Sequence, residues 1–484
     1  MSNIKVAVTN PPWPGGGIGA RSNVRWPHKR KDKHLIFPLY LAYTSAVLKK
    51  EGFEVLGLDA VEKELGIFDF VKKMEKFKPD VVVMEVSTPS LNYDLETARK
   101  LKERLPETFL VFCGSHVSFD HKNIMKNYSF VDGCVQAEFE ATLCDLCKAM
   151  RDNTSLKEVK GLTWRNKSNG NIIINDKMPF IENLDELPYP DRNDFRIEDY
   201  QMAFFCGKRT GVLLSSRGCP YQCSFCLWPE TTSGHKYRQR SAKSVVDEIE
   251  YLLHEHNIDS LFFDDDTFAL TKDRMLEMCN EIIKRKIKIP WICMGRVNTT
   301  DEDMVKIMKK AGCTQIFFGF ESGSPIILRS IGKNITKDQM LKAVKITQKH
   351  GLVASGSFVF GLPPENKETI KATLDFAKKL KADFVQFTLA APFPGTKFYD
   401  EAVQKGLLDI NSYSDLDGTQ GQILKTEHLS KEELSGVIRK AYLSYYTSPG
   451  VIIQNLKRCK NLKEIARVVK GAKSILARVV YYKK

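Results

Sequence analysis

Two runs of strand–helix alternation, parted by a proline-punctuated stretch, constrain this 484-residue chain more than any other feature. In the first run, residues 4–8 are β-rich, 39–50 helical, and 54–58 and 81–86 strand-like. A helical stretch at 92–104, a strand at 109–113 and an apolar run at 130–135 follow. This order predicts an α/β fold, a Rossmann-like doubly wound domain on a parallel sheet over 1–150. Such sheets bind ligands outside the carboxyl ends of their strands. Here those ends run into NPPWPGGGIGARS, DAVE, STPSLN and CGSHVSF, loops that suit a nucleotide-like or tetrapyrrole ligand.

Residues 151–203 change character. GLTWRNKSNGNIIIN reads as a small hairpin and ENLDELPYPDRNDF as a connector, so a linker with a little structure of its own, a small hairpin, is expected. Alternation resumes over 204–410, with strands near 212–215, 260–263, 291–294, 315–318, 354–360 and 384–389. Six such units predict a partial (β/α)6 barrel. Residues 411–484 are expected to be helical and basic: in 451–484 ten Lys and Arg face Glu464 alone, which accounts for nine of the net +14 charges. No apolar run is long enough to span a membrane, and MSNIKVAVTNPP lacks the pattern of a secretory signal, so a cytoplasmic protein is expected.

A cytoplasmic chain with 12 cysteines is expected to keep them reduced. Cys113, Cys134, Cys279, Cys293 and Cys313 lie in apolar segments and read as buried thiols. Cys144 and Cys147 form a C-x-x-C on a helix-like run without partner ligands. In SSRGCPYQCSFCLWPE, by contrast, Cys219, Cys223 and Cys226 stand at C-x3-C-x2-C just past the first barrel strand, where barrel enzymes carry their chemistry. One short loop can thus fold around a cube of iron and sulfur, with three thiolates on three irons and the fourth iron open. A structural zinc site is the alternative, but it wants a fourth Cys or His, and only His235 is near.

The loop resembles the signature of radical S-adenosylmethionine (SAM) enzymes, and the whole chain is similar to the subgroup with an N-terminal cobalamin (B12)-binding domain. The further motifs are Phe262-Phe263-Asp264-Asp265-Asp266-Thr267-Phe268, Arg296 in WICMGRV, Gly319 to Ser324, Gly361-Leu362-Pro363-Pro364-Glu365 and Ala391 to Thr396. The resemblance implies a 4Fe-4S cluster on the three cysteines, SAM chelated to the open iron, and a 5'-deoxyadenosyl radical. It places Asp265, Glu321 and Arg296 among the catalytic residues and Phe225, Asp264, Ser322 and Gly361 around SAM. Physically, three successive carboxylates are costly unless solvated or facing a cation, such as the ammonium of SAM. A Glu at a strand end likewise needs a partner. For Lys333 and Arg296, a substrate or carboxylate contact and an ordinary ion pair both stay open.

In the first domain the resemblance implies that Ser87, Thr88, Ser90, Gly114, Ser115 and His116 hold cobalamin. No D-x-H-x-x-G motif is present, so that motif's histidine cannot be the lower cobalt ligand, and His28, His34 and His116 are the substitutes. Gln136-Ala137-Glu138-Phe139-Glu140 also departs from the Gly-Glu-Gly-Glu type turn of related proteins. A domain that has lost cobalamin is the alternative.

The stretch after Cys226, LWPETTSGHKYRQRS, is similar to that of radical SAM enzymes of hopanoid biosynthesis and implies an apolar lipid or isoprenoid-like metabolite. The expected reaction is hydrogen abstraction followed by cobalamin-dependent methyl transfer. Radical rearrangement or carbon–carbon bond chemistry without cobalamin, and a non-catalytic iron–sulfur redox sensor, remain alternatives. An electron donor such as flavodoxin or ferredoxin is expected, and nucleic acid is not. Leu462, Ile465, Val469, Leu476 and Val480 fall at helical spacing among basic residues. Such a tail either lies peripherally on an anionic membrane or packs on its own protein.

Overall fold

The computed structural model describes residues 4–13, 18–21, 28–30, 35–200, 207–410, 412–416 and 424–458. The basic apolar helix expected at 462–480 and His34 lie outside the described residues. In chain order the first half contributes strands β1 Lys5–Asn10, β2 Ile18–Ala20, β3 His28–Arg30, β4 Glu54–Asp59, β5 Val81–Glu85, β6 Phe109–Cys113, β7 Gly133–Val135, β8 Leu162–Arg165 and β9 Ile172–Ile174. Among the described residues, seven of them form one sheet ordered β4-β1-β5-β6-β7-β8-β9. It is parallel as far as β7, where the antiparallel strands β8 and β9 begin. β5 and β6 are buried at every residue, as strands covered on both faces must be, which is why they read as unbroken apolar runs.

The second half contributes β10 Thr210–Leu213, β11 Ser216–Arg217, β12 Arg238–Gln239, β13 Ser260–Phe263, β14 Trp291–Gly295, β15 Cys313–Glu321, β16 Val353–Phe360 and β17 Phe384–Leu389. Six of these, in the order β10-β13-β14-β15-β16-β17, form a parallel sheet that does not close, a partial barrel with helices outside. The free edge of β17 is covered by the helix Lys431–Tyr446. Phe387 N donates to Tyr442 Oη at 3.2 Å, and Val385 N to Tyr446 Oη at 3.1 Å. These bonds satisfy an edge that would otherwise invite pairing with another chain.

Residues 151–200 carry the expected hairpin and also touch both halves of the chain. The hairpin β8–β9 extends the first sheet. Beyond it, the Asp191 carboxylate accepts from Ser45 Oγ and Lys49 Nζ, both at 2.6 Å, while Arg192 donates to Val212 O at 2.6 Å and to buried Glu248 at 3.1 Å. Adjacent residues thus grip the two halves, and one continuous apolar cluster runs from Val6 and Tyr40 into the barrel core.

The tightest join is ionic. Arg217, at the foot of the cysteine loop, is fully buried, 2.7 Å from Glu140 and 3.4 Å from Glu138, with its guanidinium over the rings of Tyr40 and Tyr43. Arg238, its partner across the β11–β12 ladder, takes Glu138 with two bonds of 2.9 and 2.8 Å. The turn that presents both glutamates passes through Ala137 at φ 55°, a left-handed conformation that favours glycine. It therefore keeps the shape of a glycine turn without the glycine. In chemical denaturation, Glu140→Ala should destabilise the protein by about 3–5 kcal/mol, since it strands a buried guanidinium. Ala137→Gly should stabilise it by ~1 kcal/mol. A neutral Glu140→Ala would show that the join carries no load.

Candidate active site

The cysteine loop is clamped at its base by the pairing of Ser216 with Gln239 and Arg217 with Arg238. Gly218 turns the chain at φ 87°, and a Cβ there would stand 2.2 Å from Lys236 O, so no other residue fits. Cys219 N donates to Gly234 O, Cys226 N to Cys223 O and Ser224 N to Ile331 O, at 3.0–3.1 Å. Cys219, Cys223 and Cys226 are half-buried, whereas the other seven described cysteines are buried. Burial pushes the thiols of Cys134, Cys147 and Cys279 far up, as expected of inert cysteines.

Donors meet the sulfurs. Thr267 Oγ1 donates to Cys219 Sγ at 3.2 Å, and an Arg296 Nη reaches Cys223 Sγ at 4.0 Å. Among the described residues no three His, Cys, Asp or Glu converge on one ion. Thiolates on three corners of a cube stand farther apart than the ligands of a single zinc. His235 gives Cys219 only a ring-nitrogen contact to its carbonyl, at 3.1 Å, and pairs with Glu230 on its other nitrogen.

The acidic motif divides its labour. Asp265 is fully buried and accepts from Ser215 N at 3.1 Å, from Ser215 Oγ at 2.8 Å and from Ser216 Oγ. Burial pushes its carboxyl up in spite of these donors. Its oxygens tie the end of β10 to the end of β13. Asp266 accepts from Gly218 N at 3.0 Å and Ser233 Oγ at 2.6 Å and so fixes the start of the loop and its return. Asp264 remains half-exposed beside them.

Across the barrel, β15 bulges between Gly319 and Glu321. Glu321 sits at φ 60° with only 5% of its surface exposed, a strained placement of the kind that clusters at functional sites. Lys333 Nζ donates to its Oε1 at 2.8 Å, while Oε2 has no hydrogen-bond partner. Burial works against the Lys333 ammonium, but Glu321 and Cys223 beside it hold its pKa above the ordinary value. Arg296, at the end of β14, stacks 3.5 Å over the Tyr221 ring and donates to Lys333 O. The expected residues Arg296, Lys333, Glu321 and Cys223 therefore meet, together with Tyr221, which carried no sequence signal.

Ser322, Phe225 and Gly361 each have partners within the chain. Ser322 is fully buried. Its hydroxyl lies 3.0 Å from Thr373 Oγ1 and accepts from Ser324 N, so it faces the helix Lys367–Leu380. Phe225 packs against an apolar cluster with Leu227, Ile327, Leu362 and Phe393. Gly361, at φ 88°, donates its N–H to Glu365 at 3.2 Å.

In the first domain Gly114 follows β6 at φ 108°, where a Cβ would stand 2.6 Å from Val86 O. Ser115 opens the helix Ser115–Asn127, and His116 Nδ1 meets Thr88 Oγ1 at 3.1 Å. Its Nε2 is buried without a hydrogen bond, 3.7 Å from Asp120. Tyr413 stands edge-on to the His116 ring at 5.0 Å. Ser87 and Ser90 are 2.8 Å apart. Ser90 donates to Asp94 and accepts from Arg21, whose fully buried pairing with Asp94 closes the crevice between β1 and β5. Ser90 is thus held by bonds within the chain.

An open barrel with three accessible thiols in its first loop, locked to a doubly wound domain in the strand order of nucleotide-binding sheets, defines an iron–sulfur enzyme with a second, separately bound cofactor. The profile of the radical SAM superfamily matches residues 213–377, and that of the B12 binding domain matches residues 30–147. An uncharacterised methyltransferase of Pyrococcus horikoshii is 36% identical over 87% of this chain and 90% of its own length. The anaerobic magnesium-protoporphyrin IX monomethyl ester cyclase of Rubrivivax gelatinosus is 26% identical over 92% and 77%, and the hopanoid C-3 methylase of Methylococcus capsulatus 25% over 74% and 67%. The radical SAM methyltransferase TsrM from Kitasatospora setae, solved with cobalamin and a 4Fe-4S cluster bound, superposes with a TM-score of 0.72 at 18% identity, over 99% and 100% of the two chains. The chain belongs to the radical SAM superfamily, in the subgroup with an N-terminal B12-binding domain, and its cofactors are a 4Fe-4S cluster, SAM and cobalamin.

The side chains fit these groups: half-buried thiols met by Thr267 and Arg296 suit the cluster, and the Gly114 cradle with the unpartnered His116 Nε2 suits the corrinoid.

Glu365 offers a pH test of the strand-end geometry. Burial raises its carboxyl from 4.5 to about 7, although Thr369 and Gly361 donate to it. The folded state therefore holds this proton more tightly. The resulting stabilisation, up to about 3 kcal/mol, is complete below pH 4.5 and is lost as pH rises through 7. Glu365→Gln should flatten the fall in stability between pH 5 and pH 8, read from denaturation midpoints of both proteins. Parallel curves would contradict the assignment.

Proposed function

We propose that this enzyme abstracts hydrogen from an unactivated carbon of an apolar, polycyclic or isoprenoid-like metabolite and transfers a methyl group to it. The observation that supports this most is the contact between the two sets of strand ends. A Cβ at Gly395, after β17, would lie 3.0 Å from Thr231 in the turn beyond the cysteines and 3.5 Å from Phe119 on the helix Ser115–Asn127. Phe119 stands edge-on to Tyr399 there at 6.2 Å, and Tyr413 covers His116, so aromatic carbon dominates the join. An apolar substrate suits such walls.

When bound, SAM on the cluster supplies the radical and the corrinoid supplies the methyl group. The chain's own work is placement. Cys219, Cys223 and Cys226 hold the cluster, Asp265 and Asp266 hold the loop to the barrel, and Glu321 with Lys333 forms the polar wall that orients SAM. A one-electron donor such as flavodoxin or ferredoxin completes the cycle. Among the described residues no helix is long and apolar enough to cross a membrane. The basic tail is consistent with peripheral contact to an anionic surface. The similarity to a cyclase supports a second reading, in which the radical closes or rearranges a ring without methyl transfer.

Anaerobic reconstitution with iron, sulfide and hydroxocobalamin, then SAM cleavage under reductant, tests the reading. About four irons per chain and bound corrinoid are expected. Both 5'-deoxyadenosine and S-adenosylhomocysteine should form, and Cys223→Ala should abolish the former. 5'-Deoxyadenosine without S-adenosylhomocysteine favours the ring chemistry, and stoichiometric zinc with no cleavage contradicts both.

A further inference from the structure

Arg296 is 7% exposed, and a guanidinium keeps its proton at any pH a protein meets, so its burial calls for an anion. Of the seven buried arginines among the described residues, 21, 192, 217, 238 and 240 each rest on a carboxylate, and Arg274 donates to Ser215 O at 2.7 Å and reaches no sulfur. Arg296 rests on no carboxylate. Its Nε donates to Asn298 Oδ1 at 2.8 Å, one Nη to Lys333 O, and its plane lies over Tyr221. Among the described residues it takes part in no ion pair. The carboxylate in the array, Glu321, is held by Lys333 at 2.8 Å, so that pair cancels its own charge. What Arg296 does reach is the sulfur of Cys223, at 4.0 Å.

We propose that the anion Arg296 awaits is the thiolate-ligated cluster itself, and that Arg296 sets the cluster's reduction potential by holding a fixed positive charge against the Cys223 sulfur. The inference rests on the cluster reading above. Reduction adds one negative charge to the cluster. A buried, permanent cation beside a ligand sulfur stabilises the reduced state more than the oxidised one and raises the potential. The Thr267 hydroxyl on Cys219 acts in the same sense, through a hydrogen bond. Stacking on Tyr221, which lies between Cys219 and Cys223, fixes the guanidinium where its charge counts. Arg296 is thus a tuning and positioning residue for electron entry, and SAM need not be present for it to act.

The test is an EPR-monitored redox titration of the cluster-loaded protein without SAM, comparing wild type with Arg296→Gln and Arg296→Lys. At the wild-type midpoint, Arg296→Gln should show a reduced-to-oxidised ratio about tenfold lower, equal to 59 mV for one electron. Arg296→Lys, which keeps the charge, should recover part of that shift. Should Arg296→Gln fail to take up iron, Asn298→Asp serves instead. It gives the guanidinium a carboxylate on its existing 2.8 Å bond and should also lower the potential. Wild-type midpoints in the charge-altered variants, with weakened SAM binding, would make the SAM carboxylate the true counter-ion and overturn the proposal. A wild-type protein with no cluster signal would instead sink the functional reading on which it rests.

Discussion

Arg217 and Arg238 leave the two-residue ladder at the foot of the cysteine loop and bury their charges on Glu138 and Glu140 of the first domain. Few arrangements are costlier to assemble or to break, because each ion has been taken out of water and only its partner compensates. A purely apolar contact could have joined the two halves. Charges fix the join in register: Glu138 receives two parallel bonds from one planar guanidinium, and Tyr40 and Tyr43 flank the other. The loop that carries the cluster ligands is therefore referenced directly to the domain that carries the corrinoid loops.

From this join outward, the polar groups sort into two kinds. Asp265, Asp266, Ser322 and Ser90 are spent on other protein groups and act by holding strand ends and loops where they are. Glu321 Oε2, His116 Nε2 and the Arg296 guanidinium are buried with bonding capacity or charge left over. Leftover capacity in a buried group is expensive, and such groups stand where ligands belong. Glu321, His116 and Arg296 all lie at or just past carboxyl ends of strands, as the doubly wound and barrel architectures require of ligand sites.

Much of this was legible in the sequence. The strand–helix alternation gives both sheets, and the cysteine spacing gives the cluster loop, because period and spacing are local properties of the chain. What stayed hidden is long-range. Nothing near Arg217 announces that its partners lie some eighty residues upstream. The non-glycine turn at Ala137 looked like a departure from the family, yet it keeps the left-handed backbone. Composition made residues 151–203 a linker, while their hairpin pairs with β7 and Asp191 and Arg192 grip opposite halves. The partners of Ser322 and Asp265, neighbouring backbone and hydroxyl groups, likewise show only in the fold.

With the cluster on the cysteine loop and the corrinoid on the first domain's loops, the ionic join would set the two face to face within a single chain. The most direct measurement is EPR of protein loaded with both cofactors, with the cluster reduced and the cobalt in its paramagnetic +2 state. The account predicts spin–spin interaction between the two centres, seen as splitting or broadening that is absent when either is omitted. Two unperturbed signals, each identical to that of the singly loaded protein, would contradict it.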